Sequence, residues 1–235
     1  MHREYLKSGS RHLGKPMECL WFGHSGPPVL IFPTSLGRFY QCEDFSVTSS
    51  LSSKVDAGEM QLVCADSVDA ESWYNDQIPH RERVQRHEQY DAYLHDELMP
   101  CILHRSGHSK VTTFGASFGA YHAANVAARY PEMVRKAVLF SGVFDIHRFL
   151  DGFWNDACYF HCPTAYISNA DEHWIRRFTG VEWIVATGEG DPLIEENRQF
   201  SGLLTSRGIP NYLEVWQGFG HDWPWWKEHA PRFLP

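Results

Sequence analysis

The most constraining feature of this chain is a junction. The apolar, β-branched run Val111-Thr112-Thr113-Phe114 passes through Gly115-Ala116-Ser117-Phe118-Gly119 into an alanine-rich stretch of helical character, Phe118–Arg129. A strand that becomes a helix within five residues must turn sharply, and the Gly-x-Ser-x-Gly pattern needs that context of strand before and helix after. Glycine two residues to either side of the serine removes the Cβ atoms that would drive strand and helix into each other. Such a turn holds Ser117 in a strained backbone conformation. It also points the N–H of Phe118 outward from a helix N-terminus, where the dipole favours developing negative charge. The plainer reading is a Gly/Ser-rich turn in which Ser117 only caps the helix. A base and an acid elsewhere in the chain would decide between the two.

Around this junction, strand-like and helical segments alternate. Met17–Phe22 and Pro28–Phe32 are apolar runs separated by Gly23-His24-Ser25-Gly26 and read as an opening hairpin. Strands are then expected at Gln61–Ala65, Lys110–Phe114, Lys136–Phe140, Glu182–Ala186 and Tyr212–Trp216. Helices are expected at Arg83–Leu103, Phe118–Arg129, Pro192–Ser206 and Trp223–Phe233. The first helix rests on the apolar stripe Val84, Tyr90, Leu94, Leu98 and Ile102. The alternation predicts an α/β fold: a mostly parallel central sheet with an antiparallel N-terminal hairpin and helices on both faces. With no repeat, low-complexity tract or linker, residues 1–235 read as one domain carrying an irregular, aromatic-rich insertion at about residues 142–180. Loops at the carboxyl ends of the strands are where such sheets place ligands.

A serine hydroxyl is a poor nucleophile until a base takes its proton. His221 lies in Gly218-Phe219-Gly220-His221, a loop directly after the last strand, whereas His229 falls within a helical pattern and is expected to be exposed. Asp191 follows the Glu182–Ala186 strand through Thr187-Gly188-Glu189-Gly190, one loop earlier, and is the favoured acid. Asp145, after Lys136–Phe140, is its competitor. Glu195 and Glu196 read as helical and solvated. Asp191-Pro192 could alternatively be a simple helix start.

Composition excludes several classes. A formal charge of −8 and the lack of any Lys/Arg-rich run argue against nucleic acid as a partner. No apolar stretch is long enough to span a bilayer, and Met1–Lys15 lacks the apolar core of a signal peptide, so a cytoplasmic location is expected. The six cysteines are scattered. Cys158 and Cys162 flank His161, but no second Cys/His pair stands at zinc spacing nearby, and no metal site is assigned. His80, His87, His95, His104 and His108 fall on or beside one polar helix and read as a solvated face.

Taken together, Val29-Leu30-Ile31-Phe32-Pro33-Thr34-Ser35-Leu36-Gly37, Ser72-Trp73-Tyr74, the serine junction, Gly188-Glu189-Gly190-Asp191 and Gly220-His221-Asp222-Trp223 resemble the esterase branch of the α/β-hydrolases that includes esterase D-type enzymes and mycolyltransferases. The resemblance runs from about Met17 onward. It implies an α/β-hydrolase fold and a serine carboxylic-ester hydrolase working through an acyl-enzyme, with Ser117, Asp191 and His221 as the triad and no cofactor. It also implies an oxyanion hole from the backbone N–H groups of Phe118 and a residue after the third strand, Leu36 by position with Ser35 as the alternative. The substrate is expected to be a small or extended ester, because residues 142–180 are short for a large lid. Trp73, Tyr74, Trp154 and Trp223 are candidate pocket residues, while most rings of residues 142–180 are expected to fill a satellite core. Acyl transfer and thioester hydrolysis would use the same triad. A hydrolase-fold binding protein with a dead site is the alternative from another class.

Overall fold

The computed structural model describes residues 1–235. Eight strands form one sheet: β1 (Arg3–Ser10), β2 (Lys15–Phe22), β3 (Pro28–Phe32), β4 (Gln61–Ala65), β5 (Val111–Ala116), β6 (Val134–Phe140), β7 (Glu182–Gly188) and β8 (Asn211–Trp216). Their spatial order is β1-β2-β4-β3-β5-β6-β7-β8. The β1–β2 and β2–β4 pairings are antiparallel and all others parallel.

This corrects the reading of the N-terminal hairpin. Met17–Phe22 does not pair with Pro28–Phe32, because β4 lies between them. The partner of β2 is β1, drawn from the first residues of the chain. The reason is visible in burial: β1 is an edge strand with most of its residues exposed or half-buried, so it lacks an apolar run to announce it. The charges of Arg3, Glu4 and Lys7 also suit an edge, where they discourage pairing with another chain.

Central strands are buried on both faces, as parallel sheets require. Leu30, Phe32, Val63, Leu139 and Val185 face one core layer, and Val29, Ile31, Leu62, Val138 and Ile184 face the other. Strand alternation thus feeds two cores, one on each side of the sheet. A third, smaller cluster gathers Trp73, Phe118, Tyr121, Ile146, Leu150 and Cys158 beneath the carboxyl edge, with Phe149 and Phe153 against it.

The long helix begins earlier than expected, at His80, and is not regular: His80–Tyr93 is α-helical, Leu94–Leu98 is a π-helical segment, and Met99–Ser106 is α-helical again. Pro100 has no N–H to donate and its ring crowds the carbonyl of Asp96, so the wider π turn relieves that conflict. Val84, Tyr90, Leu94, Leu98 and Ile102 are all buried, so the apolar stripe holds across the irregularity. Residues 142–180 fold into short helices at Asp156–Phe160, Pro163–Ser168 and Glu172–Phe178. Many of their rings are buried or half-buried, while Trp154, Phe160 and Trp174 are the exposed ones. No helix is long and apolar enough to cross a membrane.

Candidate active site

From Val111 to Ala128 every residue is buried except Ser117. It stands between β5 and the helix Phe118–Arg129 with φ 56° and ψ −124°, a region that side chains other than glycine rarely occupy. Its N–H donates to the Phe140 carbonyl (2.9 Å), which ties the turn to the end of β6. The flanking glycines are required for two different reasons. A Cβ on Gly115 would meet the Gly119 carbonyl oxygen at 2.1 Å, the expected strand–helix collision. A Cβ on Gly119 would instead meet the backbone oxygens of Pro33 and Phe32 at 2.5 and 2.7 Å. The second glycine therefore lets the helix approach the loop after β3.

His221 and Asp191 arrive on the next loops of the same sheet edge. Those loops are joined by backbone: Glu189 N–H donates to the Trp216 carbonyl and Gly190 N–H to that of Phe219, both at 2.8 Å. A Cβ on Gly188 would lie 2.1 Å from the Phe219 oxygen, so only glycine permits this approach. His221 Nε2 lies 2.9 Å from Ser117 Oγ, and its Nδ1 lies 3.1 and 3.2 Å from the two oxygens of Asp191. An ionised carboxylate can only accept, so Nδ1 carries the proton and Nε2 is left to accept from the serine hydroxyl. The Asp191 side chain is fully buried, that of His221 one-quarter exposed. Burial alone would raise the Asp191 carboxyl. Hydrogen bonds from His221, Ser141 and the Leu193 N–H outweigh it and hold the group below its ordinary value. Trp226 meets the His221 ring edge-on (4.9 Å between centroids) and donates its indole N–H to Ser141 Oγ at 3.0 Å.

Asp145 stands elsewhere. Its carboxylate oxygen accepts from the His147 N–H at 2.8 Å and contacts the His147 ring at 2.5 Å, closing the turn His147–Phe149. Cys162 Sγ completes a group of three possible metal donors within 4.8 Å, but the turn-capping bonds account for the Asp145–His147 arrangement on their own. Glu196, read as solvated, is a clamp on the loop after β6: it accepts from the N–H groups of Phe144 (2.7 Å) and Asp145 (3.3 Å) and pairs with Arg148. His229, read as exposed, is buried and stacks on Trp216 at 4.1 Å.

Neither Phe118 nor Leu36 uses its N–H in a hydrogen bond within the protein, and the same is true of Ser35. Leu36 has a positive φ of 59°, another departure from relaxed backbone beside the serine turn. Tyr74 donates its hydroxyl to Ser35 Oγ (2.8 Å) and sets its ring edge-on to Phe118 (5.2 Å). Trp73 does not border an open pocket: it is 1 % exposed and packs inward against His87. Trp223 stacks flat on Phe45 (4.6 Å, 6°) and Trp154 on His147 (4.0 Å, 5°).

Sequence reasoning missed a buried polar cluster behind the serine. His122 donates from Nε2 to Asp69 Oδ1 at 2.8 Å, with both side chains essentially sealed from solvent. His87, assigned to a solvated face, is 1 % exposed and bonds to the Tyr121 hydroxyl at 3.0 Å. Burial pushes the His87 and His161 imidazoles well below their ordinary value, with help from neighbouring charge. One signal could have found His122. The helix Phe118–Arg129 is small or apolar almost all round, which marks a buried helix whose polar residues must find partners.

Residues 21–233 match the family described as "Putative esterase". No curated protein matches the chain. Among solved structures, a ferulic acid esterase superposes with a TM-score of 0.79 at 17 % identity, covering 100 % of this chain and 96 % of that one. An S-formylglutathione hydrolase from Agrobacterium tumefaciens follows the same path with a TM-score of 0.75 at 14 % identity over 98 % and 92 % of the two chains. The ferulic acid esterase of the anaerobic fungus Anaeromyces mucronatus gives 0.72 at 12 % identity over 99 % and 89 %.

Proposed function

The chain belongs to this esterase family, and from that premise we propose that it is a serine carboxylic-ester hydrolase whose triad is Ser117, His221 and Asp191. The observation that carries the assignment is the continuous line from Ser117 Oγ through His221 Nε2 and Nδ1 to Asp191, with each step at 2.9–3.2 Å. Ser117 Oγ attacks the acyl carbonyl carbon while its proton passes to His221 Nε2. Asp191 orients the imidazole and stabilises its charged form. The oxyanion is received by the free N–H groups of Phe118 and Leu36, each contributing about 3 kcal/mol to the transition state. Collapse of this intermediate expels the alkoxide, which takes the proton from His221. Water then repeats the sequence on the acyl-enzyme, giving up its proton to His221 and releasing the acid and free Ser117.

Tyr74, Trp154 and Trp223, with partly exposed rings, are the proposed pocket residues. Their open arrangement suits small or extended esters rather than enclosed lipid chains. The relatives named above act, by their names, on ferulate esters and on S-formylglutathione, so oxygen esters and thioesters are both compatible with this centre. Free thiols at all six cysteines support a cytoplasmic location. The test is a fluorophosphonate probe with mass mapping of the labelled peptide, beside a p-nitrophenyl ester chain-length series run with and without an alcohol acceptor. Stoichiometric labelling at Ser117 with release of free acid is expected. Labelling at another serine would overturn the nucleophile, and preferential product formation on the acceptor would make the enzyme a transferase.

A further inference from the structure

The buried His122–Asp69 pair has no part in the proton path, yet it joins both halves of the oxyanion hole. His122 lies five residues beyond Ser117, on the helix whose first N–H is that of Phe118. Its ring meets Phe118 edge-on at 5.1 Å (83°). Asp69 belongs to the segment after β4, and its backbone carbonyl accepts from the Tyr74 N–H at 3.0 Å. Tyr74 in turn holds Ser35 Oγ at 2.8 Å, next to Leu36, and also meets Phe118 edge-on. One residue, Asp69, therefore bonds the helix Phe118–Arg129 through its side-chain carboxylate and the segment that steadies Ser35-Leu36 through its backbone carbonyl.

This pair is costly as a mere structural element. Asp69 Oδ2 has no partner in the protein, nor have the nearby Trp73 Nε1 and His87 Nδ1. Buried polar groups with unmet bonds destabilise a fold relative to well-packed apolar side chains of similar volume. What apolar packing would lack is direction: the bond fixes how the first turn of the helix sits against the loop after β4. Donor placement to within a fraction of an ångström decides how well an oxyanion is stabilised.

We propose that His122 and Asp69 are positioning residues for ester hydrolysis, setting the separation of the Phe118 and Leu36 N–H groups by locking the helix Phe118–Arg129 to the Asp69–Tyr74 segment. The proposal rests on the reading of Ser117 as nucleophile, which fluorophosphonate labelling of the unaltered enzyme checks separately: if Ser117 is not labelled, that reading fails whatever the variants do. The decisive comparison is His122→Phe, which keeps a ring of similar size and loses the bond, against His122→Gln, which keeps an N–H donor at comparable reach. His122→Phe should remain folded, with a melting temperature equal to or above that of the parent. Its kcat should fall about 10- to 100-fold with KM changed less than threefold. Its affinity for a trifluoromethyl ketone, which mimics the tetrahedral oxyanion, should fall by the same factor as kcat/KM, while Ser117 still labels to completion. His122→Gln should recover most of that loss. Asp69→Asn, which retains an acceptor for His122, should lose less than Asp69→Ala. If His122→Phe folds and turns over as the parent does, or if ketone affinity is unchanged while kcat falls, the positioning role is overturned. Equal loss in the Phe and Gln variants would also overturn it, because the bond would then not be what matters.

Discussion

Two histidine–carboxylate pairs flank the same serine turn. His221 and Asp191 are 3.1 Å apart, His122 and Asp69 2.8 Å apart. The groups are the same; their surroundings differ. His221 sits on a loop, its side chain one-quarter exposed, with a second nitrogen turned to Ser117. His122 sits on a helix, 1 % exposed, with rings on several sides. A histidine that can reach both a hydroxyl and the solvent can move a proton. One enclosed in the core can only hold its neighbours in place. Chemical identity alone does not assign a role; reach and solvent access do.

The largest expected effect separates the two pairs outright. Ser117→Ala should abolish fluorophosphonate labelling and lower ester turnover by roughly three to six powers of ten. His221→Ala should fall in the same range, far beyond anything done to His122. If His122→Ala proved as damaging as His221→Ala with the fold intact, the division of labour between the pairs would collapse. Next comes the acid. Asp191→Asn should stay folded and lose about four powers of ten in kcat, because the amide favours the wrong imidazole tautomer. Asp145→Asn, whose carboxylate faces His147, should change kcat by less than about tenfold. The reverse order would move the acid to the loop after β6. A smaller effect tests how His221 is held. Gly188→Ala places a methyl 2.1 Å from the Phe219 backbone oxygen and must push the two loops apart. A loss of about 100-fold in kcat is expected from the misplaced imidazole, with ketone affinity reduced alongside. Unchanged kinetics would mean that the loops adapt independently.

These contrasts also explain what was legible in the sequence. Ser117, Asp191 and His221 each follow an apolar strand at a turn rich in small residues, so pattern and chemistry coincide. The parallel sheet was legible for the same reason, since its strands are continuous apolar runs. The antiparallel hairpin is present, but its partner strand was misassigned because β1 is mostly exposed and offers no apolar run. His87 and Glu196 were misread because polar residues on a helix are normally solvated, and only tertiary packing turns them inward. Glu196 reaches the backbone of residues 144 and 145, more than fifty positions away in the chain. The Asp69–His122 bond likewise spans 53 positions, and no local pattern encodes it.

The smallest expected effect concerns the buried cluster as a group of titrating residues. His87 and His161 are held well below the ordinary histidine value, first by burial and then by neighbouring charge: His161, His122 and Arg129 around His87, and Arg129 around His161. The unfolded chain protonates both histidines as pH falls through about 6.5, whereas the native protein keeps them neutral. Unfolded molecules then bind more protons, so stability is fully present above that value and declines below it, until the folded values are reached. The slope is about 1.4 kcal/mol per pH unit for each histidine, or about 2.7 for the two together. His229, also lowered by burial, adds in the same direction. Asp191, held low by its hydrogen bonds, loses its contribution only in the carboxylate range, below about pH 4. Asp91, raised by its burial, opposes this slope as its native carboxyl takes up a proton, so the interval from pH 6 to 5 reports the histidines net of Asp91. Urea denaturation at half-unit steps should show the midpoint falling across it, and His87→Gln should remove about a third to a half of the slope. A midpoint that is flat between pH 7 and 5 would mean that the cluster takes up protons in the native state. The sealed surroundings on which the contrast between the two pairs depends would then be wrong.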